Sequence, residues 1–212
     1  MRITGGKLKG RFTETPYGKM AIRPAMDKMR ESVFAILDPV LEGKSFLDLF
    51  SGSGTIALEA VSHGATDVSL CEMDKSKAKI VFQNVKMAEE VGVRIKCHFM
   101  AVELYLKRCK EKFDYIFMDP PFPYKFRKEL IETAGTKMML KEHGRLLIHY
   151  PEEDALPDKI GNLVLVDKRV YGRSIVNFYA YETKIEGVAQ EQQKSQGYKH
   201  SLFCSKGKFH HI

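Results

Sequence analysis

Four consecutive residues, Asp119-Pro120-Pro121-Phe122, combine groups that could hold a flat molecule bearing an amino group. They follow residues 113–118, whose apolar and aromatic side chains are typical of a buried strand in a parallel sheet. Two consecutive prolines cannot continue a β-ladder, so the strand must end there. The Asp119 carboxylate and the Pro120 carbonyl would accept N–H donors, and the Phe122 ring would stack on the molecule. We predict that these three residues are catalytic; the alternative is a turn with no role beyond ending a strand.

A second group, residues 48–57, predicts a tight turn from a strand into a helix. Its sequence is Asp-Leu-Phe-Ser-Gly-Ser-Gly-Thr-Ile-Ala, and Gly52 and Gly54 would let the backbone turn sharply and approach a ligand closely. Glu72 ends the next predicted strand, about 20 residues further on, where nucleotide-binding proteins place an acid for ribose hydroxyls. The pattern therefore predicts a nucleotide-like cofactor.

Two cofactors are compatible with this pattern, and Asp48 favours one of them. The spacing Gly52-x-Gly54-x-x-Ala57 also suits a dinucleotide, so an NAD(P)-dependent oxidoreductase is the remote alternative. A carboxylate at position 48 would repel a pyrophosphate, but it could pair with a cationic amino acid. S-adenosylmethionine has no phosphate and carries an ammonium and a sulfonium group. Methyl transfer explains both Asp48 and the Asp119 motif, whereas hydride transfer explains neither.

These residues need a framework that brings strand ends together, and the alternation of patterns from residue 44 onward predicts one. Strands are predicted over 45–50, 68–71, 94–99, 113–118 and 145–150, and helices over 24–40, 54–62, 75–91, 102–110 and 126–140. Two further β segments, 163–171 and 174–181, flank Gly172-Arg173 and predict a hairpin. We expect an α/β protein with a seven-stranded, mostly parallel, Rossmann-like sheet that ends in an antiparallel hairpin. Residues 2–13 predict a small amino-terminal β-hairpin extension.

Composition limits the class of protein. The chain has 212 residues, 44% of them hydrophobic, and its four cysteines form no CxxC pair. No apolar run approaches the ~20 residues that would span a bilayer, and the amino terminus lacks the apolar stretch of a signal peptide. We therefore expect a cytoplasmic monomer with reduced thiols, no metal site and no membrane contact.

The net charge of +7 is concentrated near the amino terminus. Residues 1–30 contain eight Lys or Arg residues against two acidic ones, which is typical of a protein that binds a phosphate backbone. The charge by itself does not distinguish RNA from DNA. We expect a basic arm over 1–22, a catalytic domain over 23–182 and a polar tail over 183–212. The predicted phosphate contacts are Arg2, Lys7, Lys9, Arg11, Arg23 and Arg30.

Taken together, the motifs at 48–54, 72 and 119–122 resemble the class I methyltransferases that modify exocyclic amino groups. Residues 23–34, Arg-Pro-Ala-Met-Asp-Lys-Met-Arg-Glu-Ser-Val-Phe, and residues 2–11 resemble more specifically the RsmD family of bacterial 16S rRNA guanine-N2 methyltransferases. The resemblance extends over residues 1–182. It implies S-adenosylmethionine as cofactor and 16S rRNA within a small-subunit assembly particle as partner. It also implies that Glu72 holds the ribose hydroxyls of the cofactor and that Met73 borders its adenine.

The complete set of expected cofactor-binding residues is Asp48, Phe50, Ser51, Gly52, Gly54, Thr55, Glu72, Met73, Met100 and Ala101. The target base would have to be unstacked from its RNA surroundings to reach the Asp119 motif. A different amino group, adenine N6 in DNA or RNA or a glutamine side chain, remains the alternative target because the local chemistry is shared. Residues 23–34 favour rRNA.

Overall fold

The computed structural model describes residues 1–15 and 24–182 of the chain. Five strands alternate with helices, and three more strands follow without a helix between them. The helices are α1 (Pro24–Leu37), α2 (Thr55–Ser62), α3 (Ala78–Val85), α4 (Val102–Arg108) and α5 (Arg127–Thr136). The strands are β1 (Ser45–Leu49), β2 (Asp67–Glu72), β3 (Lys96–Phe99), β4 (Phe113–Met118), β5 (Leu140–Pro151), β6 (Lys159–Ile160), β7 (Leu163–Tyr171) and β8 (Ser174–Tyr181).

The strands form one sheet in the order β3-β2-β1-β4-β5-β8-β7-β6. Strands β1 to β5 are parallel, whereas β8 is antiparallel to β5, and β7 is antiparallel to β8. The chain order changes direction between β1 and β4, which are neighbours in the sheet. In open α/β sheets, ligands bind at the carboxyl ends of the strands beside such a switch point. The glycine loop follows β1 and the Asp119 motif follows β4, so both flank it.

Two apolar clusters, one for each group of helices, enclose the sheet. Phe34 of α1 and Val81 of α3 belong to one cluster, while Leu106 of α4 and Ile131 of α5 belong to the other. Strand β1 is buried along its whole length. This burial explains why β1 shows no alternation of apolar and polar residues, since a strand covered by helices on both faces has no solvent-facing side.

The fold class predicted from the sequence is confirmed, with differences in detail. The described residues contain eight strands instead of seven, because the two-residue β6 pairs with β7 beyond the expected hairpin. In place of the single helix expected over 75–91, the structure has α3 preceded by a 3-10 helix at Lys75–Lys77 and followed by another at Lys86–Val91. The boundary expected at residue 22 and the tail over 183–212 lie outside the described residues.

The amino-terminal segment is packed along α2. The expected hairpin consists of a single antiparallel bridge between Arg2 and Phe12. The Thr13 hydroxyl lies 3.0 Å from that of Thr55, the first residue of α2, whereas the Lys7 N–H donates to the carbonyl of Ser62, its last residue, at 2.7 Å. An eight-residue helix is about 12 Å long. The tip of the segment is therefore displaced by that length toward the amino ends of the strands.

None of the helices in the described parts of the chain is both long and apolar enough to cross a membrane.

Candidate active site

The Asp119 motif forms a rigid turn beside the end of β1. The Asp119 N–H donates to the Leu49 carbonyl at 3.2 Å, which keeps the aspartate next to the neighbouring strand after β4 has ended. The Tyr124 N–H donates to the Pro121 carbonyl at 2.8 Å and closes the turn. The Asp119 side chain is 28% exposed, and residue Phe122 is 49% exposed. A carboxylate and an aromatic ring are thus both accessible at the carboxyl edge.

His149, which sequence reasoning did not identify as functional, hydrogen-bonds to this carboxylate. Its Nδ1 lies 2.7 Å from Asp119 Oδ1, its side chain is fully buried, and its ring centroid is 5.6 Å from that of Phe122. The register pairs Met118 of β4 with Ile148 of β5, so the residues that follow them lie side by side. A histidine at the end of an apolar strand was a visible signal, but only the strand order shows that it neighbours Asp119.

The buried side chain of Arg127 stabilises the turn formed by residues 119–124. Its side chain is 4% exposed, and Nη2 donates to the carbonyls of Pro121 at 3.1 Å and Phe122 at 2.9 Å. Nη1 donates to the Tyr124 carbonyl and, at 2.6 Å, to Asp154 Oδ2. One guanidinium group therefore engages three backbone carbonyls of the turn. Sequence reasoning missed this role because an arginine in the first turn of a helix is usually a surface residue.

Glycine is required at two positions of the loop after β1 for different structural reasons. Gly52 has φ +60°, and a side chain there would meet nothing within 4 Å, so its backbone faces open space. Gly54 has φ +79°, and a Cβ would lie 3.3 Å from the side chains of Leu70 and Val85. Phe50 has φ +63°, an unfavourable conformation for a residue with a side chain. Gly52 permits close approach by a ligand, whereas Gly54 permits packing.

Three carboxylates from adjacent strands converge at this loop. Asp48 is fully buried; its Oδ2 accepts the Ala57 N–H at 3.0 Å, while Oδ1 has no hydrogen-bond partner within the described residues. Burial raises the pKa of Asp48 well above its ordinary value, against the Ala57 hydrogen bond, and the charges of Asp119 and Glu72 raise it further. Like charges this close create a negative potential that a cationic ligand would relieve.

Glu72 links the end of β2 to the glycine loop. Its Oε2 accepts the Gly52 N–H at 2.8 Å, and its Oε1 accepts the Asp74 N–H at 2.8 Å and lies 3.3 Å from Lys77 Nζ. A carboxylate has about four lone-pair sites. The three donors therefore leave room for about one more hydrogen bond, so we expect Glu72 to accept one ribose hydroxyl and not two.

The remaining expected cofactor residues have varied surroundings. Met73 is 67% exposed beside Glu72, and Met100 and Ala101 directly follow β3. Ser51 is buried, and its hydroxyl has no partner within the described residues. Thr55 is also buried, but its hydroxyl lies 2.9 Å from that of Ser53 and 3.0 Å from that of Thr13. Because the Thr55 hydroxyl is engaged inside the fold, the structure gives no support to a cofactor contact from it.

A cavity of about 360 Å³ adjoins the Asp119 motif. It is lined by Met26 of α1, His149 and residues 119–123. The helix that carried the most specific sequence resemblance therefore reaches the Asp119 motif. A larger cavity of about 680 Å³ lies at the amino ends of the strands, beside Lys44, Asp114 and Arg145.

The predicted phosphate contacts divide into three groups. Arg2, Lys7, Lys9 and Arg11 are exposed, although Lys7 lies 3.6 Å from a carboxylate oxygen of Glu42 and Arg11 pairs with Glu90. Arg23 lies outside the described residues. The prediction for Arg30 is wrong: the side chain is 2% exposed, lies 2.9 Å from Glu59 and 3.1 Å from Asp27, and donates to the Arg2 carbonyl at 2.8 Å. It fastens α1 to α2 and to the amino-terminal segment, so it cannot reach RNA.

Comparison with known proteins agrees with this geometry. Residues 1–180 match the model of the family described as conserved hypothetical protein 95. The chain is 32% identical over 182 residues to YlbH of Bacillus subtilis, named as a candidate rRNA methyltransferase, covering 84% of this chain and 98% of YlbH. It is 29% identical over 189 residues to ribosomal RNA small subunit methyltransferase D of Escherichia coli K12, covering 89% of this chain and 94% of the relative.

A solved structure shares the architecture. The Escherichia coli yhhF protein, named as a candidate methyltransferase, superposes with a TM-score of 0.75 at 28% identity, over 87% of this chain and 99% of that one. This agreement, together with the order of the strands, identifies the fold as that of a class I methyltransferase.

Proposed function

The chain belongs to the RsmD family, and we propose that it transfers a methyl group from S-adenosylmethionine to the exocyclic N2 of a guanine in 16S rRNA. The observation that carries the proposal is that two carboxylates lie at the ends of neighbouring strands. The Asp119 carboxylate is accessible and hydrogen-bonds to His149, whereas the Asp48 carboxylate is buried and its Oδ1 has no hydrogen-bond partner within the described residues. One group suits an amino nucleophile and the other suits a cationic methyl donor.

The residues around the glycine loop fit S-adenosylmethionine on structural grounds. The unpaired Oδ1 of Asp48 lies in a negative potential, which suits the cofactor's ammonium and sulfonium groups and would oppose a pyrophosphate. The open backbone at Gly52 allows close approach, and Glu72 has capacity for one more donor, such as a ribose hydroxyl. Met73, Met100 and Ala101 would border the adenine. When bound, the cofactor supplies an electrophilic methyl group.

The Asp119 turn offers two acceptors to an amino group. Within the described residues, Asp119 has one side-chain hydrogen bond, through Oδ1, so Oδ2 remains for a substrate N–H. The carbonyls of Pro121 and Phe122 are occupied by Arg127, whereas no described residue donates to the Pro120 carbonyl. Accepting both N–H groups would turn the nitrogen lone pair out of conjugation with the ring and stabilise the positive charge that develops on it. The exposed Phe122 ring would stack on the base.

His149 and Arg127 are positioning residues in this mechanism. His149 Nδ1 lies 2.7 Å from Asp119 Oδ1, and with its proton on Nδ1 the ring would donate to this oxygen, hold it in place and orient the other carboxylate oxygen. Arg127 fixes the turn that carries Pro120 and Phe122. Neither needs to touch the substrate, but both limit the freedom of groups that do.

The identity of the base and its context rest on the relatives. The Escherichia coli relative is named for the small-subunit rRNA, and the RsmD resemblance of residues 23–34 favours guanine N2. Adenine N6 and a glutamine amide present the same two N–H donors, so the Asp119 turn alone would accept them. We propose that the substrate is 16S rRNA within a small-subunit assembly particle and that residues 1–22 contribute to binding it.

The test is to methylate small-subunit particles purified from a strain in which the gene for this protein is deleted. Full-length protein and labelled S-adenosylmethionine should restore one N2-methylguanosine, detected by mass spectrometry of nuclease-digested 16S rRNA. Label appearing on adenine N6 or on a protein glutamine would overturn the guanine assignment. Absence of any transfer, together with thermal stabilisation by NAD but not by S-adenosylmethionine, would overturn methyl transfer itself.

A further inference from the structure

A second cavity adjoins Phe122 and Pro123. Its volume is about 570 Å³, within the range of about 300–1,000 Å³ typical of ligand pockets. Phe122 and Pro123 line both this cavity and the smaller one that contains Asp119 and His149. The two spaces therefore share a wall, of which one component is an exposed aromatic ring.

Hydrogen bonds and a ring contact restrain the residues that line this cavity. Arg127 lines the cavity and donates to the carbonyls of Pro121, Phe122 and Tyr124. The Tyr124 ring packs edge-on against Phe50 at 5.3 Å between centroids, and its hydroxyl lies 2.5 Å from Glu103 Oε1. Little conformational freedom would be lost on binding, which favours recognition.

The charges around this cavity leave two free cations. Asp154 pairs with Arg127 at 2.6 Å, and Arg173 pairs with both Glu153 and Glu152, so each acidic residue of the lining has a cationic partner and the three acids face two arginines and two lysines. Lys125 and Lys128 also line the cavity and are exposed, and neither forms an ion pair with any residue in the described ranges. The net potential at the rim is positive and suits a phosphate.

We propose that this cavity is a second nucleotide subsite, which holds the unpaired nucleotide adjacent to the methylated guanine in the RNA chain. The base lies against Pro123 and Leu156, and its phosphate contacts Lys125 and Lys128. The ring of Phe122 then separates two neighbouring bases and holds them apart, as expected for a target that must be unstacked. The proposal rests on the proposed function and adds to it a second point of RNA recognition beside the reacting base.

The test compares Lys125→Ala/Lys128→Ala with Lys110→Ala/Lys112→Ala in the full-length protein. Lys110 and Lys112 directly precede β4 and are exposed at the amino ends of the strands, away from the cavity. Both variants therefore lose two positive charges from the surface. The Lys125/Lys128 variant should raise the KM for small-subunit particles about tenfold, because each single-strand phosphate contact contributes about fourfold at physiological salt. Its kcat should stay within about twofold of wild type. The salt slope for binding a single-stranded RNA oligonucleotide should fall by about 1.4.

The base half of the subsite is tested with abasic RNA. Removing the base on one side of a single guanine in the oligonucleotide should weaken wild-type binding about fivefold or more, whereas an abasic position three nucleotides away should not. Equal effects of the two lysine pairs, or no loss at either neighbouring abasic position, would overturn the subsite. If wild-type protein fails to form N2-methylguanosine, the proposed function fails separately, and the oligonucleotide salt slopes still decide on the subsite.

Discussion

Asp48 and Asp114 lie at opposite ends of the neighbouring strands β1 and β4, in opposite electrostatic surroundings. Asp114, at the amino end, accepts hydrogen bonds from the Ser45 N–H at 2.9 Å and hydroxyl at 2.7 Å, and from Lys141 at 3.0 Å. Partial burial opposes its ionisation, but these donors outweigh it and lower the pKa of Asp114. Asp48, at the carboxyl end, is fully buried with one unpaired oxygen and a raised pKa.

This difference favours a structural role for the amino edge of the sheet and a functional role for the carboxyl edge, and the two are called the structural edge and the functional edge below. The amino edge has the larger cavity, about 680 Å³, but its aspartate is satisfied by the protein itself. The carboxyl edge has the smaller cavity at Asp119 and a set of buried polar atoms that the described protein leaves unpaired, on Asp48, Ser51 and His149. A buried polar group without a partner destabilises the fold, so the unpaired oxygen of the fully buried Asp48 favours a ligand at the carboxyl edge, although the larger cavity lies at the amino edge.

The largest effect is expected when the carboxylate at the functional edge is removed. Asp119→Ala should lower kcat for methyl transfer by at least about 10²–10³-fold, because the group that accepts an N–H and stabilises the developing charge is lost. S-adenosylmethionine binding, measured by calorimetry, should largely survive. The matched control is Asp114→Ala at the other edge, which should keep kcat near wild type in whatever fraction folds. Full methylation by Asp119→Ala would contradict the assignment.

His149 tests whether the functional edge depends on precise positioning. His149→Phe keeps a ring against Phe122 but removes the donor to Asp119, so kcat should fall about 10–100-fold with little change in the KM for the cofactor. His149→Asn places an N–H near the position of Nδ1–H and should recover part of the loss. A structural role alone would lower the fraction of folded protein without this recovery, and wild-type kcat in His149→Phe would rule out a positioning role.

Stability should respond in opposite directions to neutralising the two aspartates. Asp48→Asn should raise the free energy of unfolding of the cofactor-free protein at pH 7 by about 1 kcal/mol, since a buried, partly unpaired charge is removed. Asp114→Asn should lower it by about 1–2 kcal/mol, because charged hydrogen bonds are weakened. Each kcal/mol corresponds to about 2–4 °C in Tm for a chain of this size. Asp48→Asn should also bind S-adenosylmethionine at least about tenfold more weakly.

The pH dependence of this pair follows from the direction of each shift. The folded pKa of Asp48 is raised, so the destabilisation is absent below the unfolded pKa of about 3.9 and grows as pH rises toward the folded pKa. The folded pKa of Asp114 is lowered, so its stabilisation is present above about 3.9 and is lost as pH falls through the folded value. In thermal denaturation, the Asp48→Asn difference from wild type should shrink as pH falls toward about 4, whereas the Asp114→Asn difference should shrink only below about pH 4. Differences that do not change with pH would show that charge is not the cause.

Local patterns predicted the elements of the functional edge but not the contacts between them. The double proline at 120–121 and the glycines at 52 and 54 determine where strands stop, so the turns could be placed from sequence. The His149 contact depends on β4 and β5 being neighbours in register, a long-range property that no local pattern encodes. The prediction for Arg30 was wrong for a related reason. A basic residue on a helix is expected to be exposed unless a buried acidic partner is known, and the partner of Arg30, Glu59, lies on another helix.

The smallest effect is expected from the basic segment at the structural edge. Lys7→Ala/Lys9→Ala/Arg11→Ala should raise the KM for rRNA particles less than tenfold and leave kcat unchanged. The tip of this segment contacts the end of α2 that lies about 12 Å along the helix from the glycine loop, and Glu42 and Glu90 already compensate Lys7 and Arg11. The salt slope should fall by up to about 2 if all three contact phosphates. An unchanged slope would assign RNA binding to the functional edge alone, where Lys125 and Lys128 lie.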